Sequence, residues 1–355
     1  KPRKGHVCLK KFTTTGPSMV RTEEANIELR NKARSYKKYI VKAQRTFRKK
    51  FHKDIRNLRS NNSKEFWNIL KKGENNEVES KIALETFRKH FAELSKNPHE
   101  IDESTVNDEF DPREIKHSIN EEINQDFSVE EIQKQIKKLK YNKACGIDNI
   151  INEFLINCPR DVLEVITKLF NIVLNSTVLP RSWCIGMIKP IYKNKGSPDD
   201  TDNYRGITLL SCVAKLFTGC INRRLTDFIE GSGQLGEEQA GFREGYSTLE
   251  HAFVLQSLIG LYLHKKKRLY CLFVDYKKAF DLVDRSSLWM KLISHGINGK
   301  IISVIYNMYK GAKSCVKQNT KLSSLFECSI GVRQGENLSP LLFAIFLNDF
   351  EYFLS

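Results

Sequence analysis

The stretch Leu269-Tyr-Cys-Leu-Phe-Val-Asp275 decides how the C-terminal part of the chain is read. Six largely apolar residues in a row predict a short buried strand, and an acid closes it. A carboxylate beside a core strand is costly to bury unless a cation or hydrogen bonds offset the loss of water. The next residues, Tyr276-Lys-Lys-Ala-Phe280-Asp281, read as a turn into a helix that Asp284 or Ser286 caps and Gly296 ends. Taken alone, Asp275 fits an N-terminal cap or a surface ion pair slightly better than a metal ligand.

Downstream lies Gly331-Val-Arg-Gln-Gly-Glu-Asn-Leu-Ser-Pro340, followed by apolar residues to Leu347. Two glycines bracket Arg333 and Gln334, so backbone and polar side chains can approach a ligand closely. Ser339-Pro340 then opens a helix, with proline at a tolerated first-turn position. Upstream, Lys189-Pro-Ile-Tyr-Lys193-Asn-Lys195-Gly196 and Asn203-Tyr-Arg205-Gly-Ile-Thr-Leu-Leu-Ser211 predict two short strands flanking a basic hairpin tip. Flexible lysines and a forked arginine on such a tip can clamp a triphosphate. A loop-to-helix junction and a solubilising loop explain either stretch equally well when each is taken singly.

Further out, Ser128 and Glu131 form a capping box, and Phe127 can staple onto Ile132. Gly231, Gly233 and Gly236 spell G-x-G-x-x-G but follow a helical pattern rather than a strand, so they read as a helix-ending turn. The nine cysteines are scattered, with no C-x-x-C and no histidine pair at zinc spacing, which points to a reducing intracellular compartment, cytoplasm or nucleus. The apolar run Leu338 to Leu354 contains Asn348, Asp349 and Glu351, so it reads as a core helix and not a membrane span. Residue 1 is Lys with no signal-peptide pattern after it, so the start reads as an internal cut.

Charge is placed unevenly. Residues 1–72 hold 22 Lys/Arg against 5 Asp/Glu, while the remainder holds 36 against 37. From Asn31 to Ser60 a narrow stripe (Tyr36, Ile40, Ala43, Phe47, Phe51, Ile55, Leu58) has helical spacing, and twelve basic residues between Lys32 and Arg59 cover the other faces. Such an arm suits a polyanion, because each neutralised phosphate releases counterions. A solvated helix packed on the body is the plainer explanation. Residues 73–126 turn acidic and polar, with one short helix around Phe87 to Leu94, and read as a linker.

Together and in this order, the motifs resemble the reverse transcriptases of non-LTR (LINE-type) retrotransposons of the jockey and chicken-repeat kind. The resemblance runs from about Ser128 to Ser355 and includes Lys143-Ala-Cys-Gly-Ile-Asp148 and Gln239-Ala-Gly-Phe-Arg243 with Ser247-Thr248. It implies an α+β, right-hand polymerase fold: a basic helical arm at 1–72, an acidic linker at 73–126, then fingers and an incomplete palm at 127–355. Asp275 matches the palm aspartate that binds catalytic Mg²⁺ (or Mn²⁺), with the carbonyl of Tyr276 as an additional ligand. Arg205 and Lys193 match residues holding the incoming triphosphate. Phe280 matches the gate that excludes a 2′-hydroxyl, and Gln334 the residue near the sugar and template. Arg243 and Gly335 fall on template contacts, as do Lys38, Lys42, Arg45 and Lys49 on the arm, whose end at Phe66-Trp67 resembles the segment joining the family's upstream endonuclease to the polymerase.

The implied partners are an RNA template, a DNA primer and deoxynucleoside triphosphates, with no membrane. The family's Asp-Asp hairpin and thumb are expected beyond Ser355, so the fragment alone is expected to be inactive. Two departures stand out: Cys145, Ile147 and Asn149 replace the prolines and glycine usual in the early motif, and Gly206 replaces a proline. A non-catalytic RNA-binding remnant of a decayed element is the competing reading.

Overall fold

The computed structural model describes residues 82–96, 111–114 and 119–350, with Asn31, Arg34, Ser35, Lys38, Val41, Lys42, Arg45, Thr46 and Lys49 in addition. These fall into two units, Lys1–Glu79 and Ser80–Ser355. In the first unit the nine described positions are helical and exposed. Their spacing of three and four places Lys38, Lys42, Arg45 and Lys49 along one face. The apolar stripe expected from Tyr36 to Leu58 and the pair Phe66-Trp67 lie outside the described residues, as does half of 73–126.

The second unit mixes helices with one small sheet. It begins with α1 (Leu84–Leu94), α2 (Glu121–Asn124), α3 (Val129–Ile136), α4 (Asn152–Ile156) and α5 (Arg160–Ser176). Strands β1 (Ile185–Tyr192) and β2 (Tyr204–Leu209) follow, then α6 (Cys212–Gly231), α7 (Thr248–His264), α8 (Arg285–Ser294) and α9 (Gly299–Lys310). The chain continues through β3 (Lys313–Gln318), β4 (Lys321–Leu322), β5 (Phe326–Glu327) and α10 (Ser339–Leu347). The expected basic hairpin is present: β1 and β2 pair antiparallel from Met187–Leu209 to Tyr192–Tyr204. β3 lies parallel to β1, from Ile185–Lys313 to Ile188–Val316, and pairs antiparallel with β4 and β5.

Two apolar clusters hold this unit together. The larger one centres on Phe127, Phe170, Trp183 and Phe217, whose rings meet mostly edge-on at 5.1–6.4 Å between centroids. The smaller one packs α1 on the sheet: Phe87 and Phe91 meet Ile188, Tyr204, Val316 and Phe326. Gln318 Nε2 and Ser329 N, donating at 2.9 Å to the carbonyls of Ile82 and Ser95, tie both ends of α1 down. Residues 82–95 are therefore a wall of the body and not the spacer expected for this part of 73–126.

Gly206 explains how that wall fits. A Cβ there would stand 2.8 Å from the Phe91 ring and 2.9 Å from Ile188. The missing side chain, where the resembled family has proline, is what admits the Phe91 ring onto β2.

Local chemistry sets the helix ends largely as anticipated. Ser128 Oγ accepts from Glu131 N at 3.1 Å. The Glu131 carboxylate does not return to close the box, because Arg224 takes both its oxygens at 2.8 Å. A bidentate guanidinium is the stronger partner. The same Arg224 lies 4.0 Å over the Phe127 ring and caps carbonyls at the end of α2. Asp284 caps α8 through Ser287 N at 2.7 Å. The glycine triplet closes α6, with Gly233 at φ +61°.

One expectation fails. Leu269 to Val274 is not a buried strand: Tyr270, Leu272 and Phe273 are 80–82 % exposed, and no strand of the sheet pairs with them among the described residues. An apolar run becomes a strand only when a neighbour completes its ladder of backbone hydrogen bonds. Helix α7 just before it is apolar yet has no buried residue; Leu249, Phe253 and Leu263 lie open. Among the described residues no helix is long and apolar enough to cross a membrane.

Candidate active site

The turn between Gly331 and Gly335 is wedged between two elements far apart in sequence. Gly331 has φ +79° and Gly335 φ +89°, in the left-handed region. A Cβ on Gly331 would stand 2.5 Å from the Asp281 carbonyl, and one on Gly335 2.8 Å from that of Thr208. Gly331 N donates to Val283 O at 2.9 Å and Val332 N to Phe280 O at 2.8 Å, which stitches the turn to residues 280–283. Arg285 then binds four carbonyls, of Tyr309, Cys328, Ile330 and Gly331, at 2.7–3.2 Å.

The stitching brings Gln334 to a recess that it shares with Lys193 and Arg205 from the hairpin, Lys278 and Asp281 from the 276–281 turn, and His90 from α1. Lys193 Nζ donates to the Asp202 carbonyl at 2.7 Å, holding it at the hairpin mouth. Arg205 is exposed, and no hydrogen bond or ion pair engages its guanidinium among the described residues. Gln334 Nε2 donates to Asp281 Oδ1 at 2.6 Å. Burial pushes the Asp281 carboxyl above its ordinary value, opposed by this hydrogen bond and by Lys278 and Arg205. Burial also lowers the His90 imidazole.

Across the same turn lies a second groove. Gly335 and Asn337 line it with Lys138, Lys140, Lys143, Lys215, Arg223 and Phe242. Phe242 is 63 % exposed and meets the edge of Phe280 at 5.9 Å, so one aromatic contact joins the groove to the residue beside Asp281. Phe280 itself is half-buried and stacks on Phe343 at 4.9 Å. Its ring therefore packs into the body, outside the lining of both recesses but next to Asp281 in the same turn.

The remaining sequence candidates are placed differently. Asp275 is exposed, lies outside the lining of both recesses and has no hydrogen bond or ion pair among the described residues. Tyr276 touches Phe350 edge-on at 5.9 Å. Arg243 is bound through Nε and Nη2 to Glu230 at 2.9 and 2.7 Å, with its side chain 8 % exposed. It also donates to the Gly236 and Gln239 carbonyls, so its donors serve the α6 end and not a template phosphate. Arg333, bracketed by the same glycines as Gln334, turns inward: Nη1 donates to Trp183 O at 3.0 Å and lies 3.8 Å from Glu336. Asp281 and Lys278 were not singled out from sequence as site residues. The signal available was an acid directly following Phe280 and a lysine in the same turn.

Residues 191–354 match the family model described as reverse transcriptase (RNA-dependent DNA polymerase). The chain is 30 % identical over 245 residues to the probable RNA-directed DNA polymerase from transposon X-element of Drosophila melanogaster, covering 66 % of this chain and 26 % of that protein. It is 31 % identical over 222 residues to the probable RNA-directed DNA polymerase from transposon BS of the same organism, and 29 % over 222 residues to the RNA-directed DNA polymerase from mobile element jockey of Drosophila funebris. Each of those two alignments covers 62 % of this chain and 24 % of the relative, so the chain spans about a quarter of the length of the curated relatives it matches. The glycine turn, the hairpin arginine and the Phe280 turn all fall inside the matched region, and by that match residues 191–354 carry a reverse transcriptase domain, similar to that of the RNA-directed DNA polymerases of non-LTR transposons.

Proposed function

We propose that the recess formed by Lys193, Arg205, Lys278 and Gln334 receives the incoming deoxynucleoside triphosphate of an RNA-directed DNA polymerase, and that the unit comprises the fingers and part of the palm of a right-hand fold. The observation that supports this best is convergence. Three segments, at 193–205, 278–281 and 331–335, bring two lysines and an unengaged arginine to one opening beside a fixed amide. A cationic cluster with a free guanidinium suits a triphosphate, whose oxygens accept charge-assisted hydrogen bonds. On this reading the sugar passes Phe280, which adjoins the recess residue Asp281 in the same turn, and its bulk disfavours a 2′-hydroxyl.

The groove on the far side of the turn suits the template strand. Its five cations can follow a phosphate backbone, and the exposed Phe242 ring offers a face to a base. The basic positions Lys38, Lys42, Arg45 and Lys49 on the arm add a further surface for RNA phosphates. A DNA primer completes the partners that this reading calls for.

The family generally uses divalent metal ions, and Mg²⁺, with Mn²⁺ as the alternative, suits hard oxygen donors. The described residues do not by themselves fit a complete site. Among them no three His, Cys, Asp or Glu side chains are grouped to hold an ion, and Asp275 with the Tyr276 carbonyl would supply only part of a ligand set. The chemistry assigned to this chain is therefore binding and orientation of the nucleotide.

Equilibrium binding of dATP tests the reading. Arg205→Ala is expected to weaken binding on the order of tenfold, the effect of losing a charge-assisted contact. Arg160→Ala, at an exposed position at the start of α5 and outside the recess lining, is expected to change nothing. Equal affinity for dATP in wild type and Arg205→Ala contradicts the assignment.

A further inference from the structure

We infer that His90, on α1, takes up a proton from solvent as the nucleotide enters the recess and donates a hydrogen bond to a triphosphate oxygen, so that nucleotide affinity depends on pH. This rests on the nucleotide-site reading above and adds to it a contact from a helix that lies outside the matched residues 191–354.

The packing of α1 sets where His90 stands. Leu84, Phe87, Phe91 and Leu94 recur at helical spacing and face the sheet, with Phe87 and Phe91 almost wholly buried. His90 comes one position before Phe91 and so lies at the margin of that face, its ring edge-on to the Phe91 ring at 5.1 Å. From this margin it lines the recess together with Lys193, Arg205 and Lys278. Both ends of α1 are tied to the body and the Phe91 ring is seated against Gly206, so the helix holds the imidazole in place. Neither ring nitrogen has a hydrogen bond or ion pair among the described residues.

The charges around the ring are mixed. The hairpin presents Asp200 and Asp202, which favour the imidazolium, and Lys193, which opposes it, as does Lys278 from the 276–281 turn. Burial is the largest influence and holds the imidazole below its ordinary value. Elsewhere in the lining, Asp281 is engaged by Gln334, Arg285 by carbonyls and Lys313 by Glu327, while Lys89 and Glu93 on α1 itself are exposed. Lys193, Arg205 and Lys278 already make the opening cationic, so a further positive ring is disfavoured until an anion accompanies it. A triphosphate oxygen beside the ring offsets both the burial and the lysines, and a neutral imidazole gains its second N–H donor only by taking up a proton. The bound form thus favours the imidazolium. Affinity should rise as pH falls through the value of the bound ring and level off below that of the free one.

Isothermal titration of dATP into the full chain at about pH 8 and about pH 6 reads this linkage. The terminal phosphate itself gains a proton near about pH 6, so variants are compared at matched pH. Wild type is expected to gain roughly three- to tenfold more affinity on acidification than His90→Gln, the effect of one ring becoming charged beside an anion. His90→Lys, charged at both pH values, should bind at the higher pH about as tightly as wild type does at the lower. Repeating the titrations in two buffers of unlike ionisation heat should show wild type taking up more protons than His90→Gln. A role confined to holding α1 would lower the melting temperature of the variants and leave the proton count unchanged. Parallel responses to pH in wild type and His90→Gln, or equal proton counts, overturn the role of His90 while the site stands. Equal affinity for dATP in wild type and Arg205→Ala at both pH values overturns the nucleotide-site reading, and this one with it.

Discussion

Two apolar regions of the same chain behave in opposite ways. Around α3, α5 and α6 the side chains of Phe127, Phe170 and Phe217 are almost wholly buried, and they meet as rings from three separate segments. Between Ser247 and Tyr276 the sequence is at least as apolar, yet α7 buries nothing and residues 270–274 stand open. Hydrophobic content alone does not make a core. Burial needs a second surface of matching shape, and in the first region α6 supplies one to α3 and α5, whereas no such surface covers α7 or the 270s among the described residues.

The largest expected effects sharpen that contrast. Phe217→Ala, at the centre of the aromatic cluster, is expected to cost about 3–5 kcal/mol in urea unfolding, from lost burial and the cavity left behind. Phe273→Ser, an equally apolar ring in the open region, should cost less than about 0.5 kcal/mol. A large loss in Phe273→Ser would mean that the open region is packed in solution.

Arg224 tests the polar stitching of the packed region. Removing it leaves Glu131 largely buried with no counter-charge and three α2-end carbonyls without their donor. Arg224→Ala is expected to destabilise by about 2–4 kcal/mol, whereas an exposed pair such as Arg160–Glu164 should contribute within about 0.5 kcal/mol.

A smaller effect comes from Gly206. Adding a methyl group drives a Cβ into Phe91 and Ile188, so Gly206→Ala should cost roughly 1–3 kcal/mol. The double change Gly206→Ala with Phe91→Leu should recover part of it, which a thermal melt would show. Failure to recover would mean that the clash is not with that ring.

The last effect is one of pH. Glu336 is buried and its carboxyl is pushed above the ordinary value by burial, with Arg333 opposing. For a group whose folded pKa is raised, the stability is full below the unfolded carboxylate range and is lost as pH rises through the folded value. Glu336→Gln, neutral at every pH, should match wild type in acid and become the more stable of the two as pH rises. A constant difference across the range would contradict the raised pKa.

Local and paired features were legible in the sequence; assembled ones were not. Turn chemistry and capping pairs named the ends of α3, α6 and α8, and the hairpin around Lys193 and Arg205 followed from two apolar runs about a basic tip. The half-open capping box at Ser128 was not legible, because the Arg224 that claims Glu131 comes from α6, nearly a hundred residues on. Leu269 to Val274 was misread for the same reason: its composition suits a strand, but a strand needs a neighbour that no local pattern supplies. Asp281 escaped notice because its partner Gln334 is brought to it only by the fold, and Arg243 was given a ligand where Glu230 already occupies its fork.

The central claim is that Lys193, Arg205, Lys278 and Gln334 form one nucleotide recess. The most direct test is photocrosslinking of 8-azido-dATP to the chain, followed by peptide mapping of the adduct. Adducts confined to segments 188–208, 276–283 and 328–337, and displaced by unlabelled dATP, are the result expected. Displaceable adducts confined to the α7 segment or to the arm at residues 31–49, with none around Arg205 or Gln334, would contradict it.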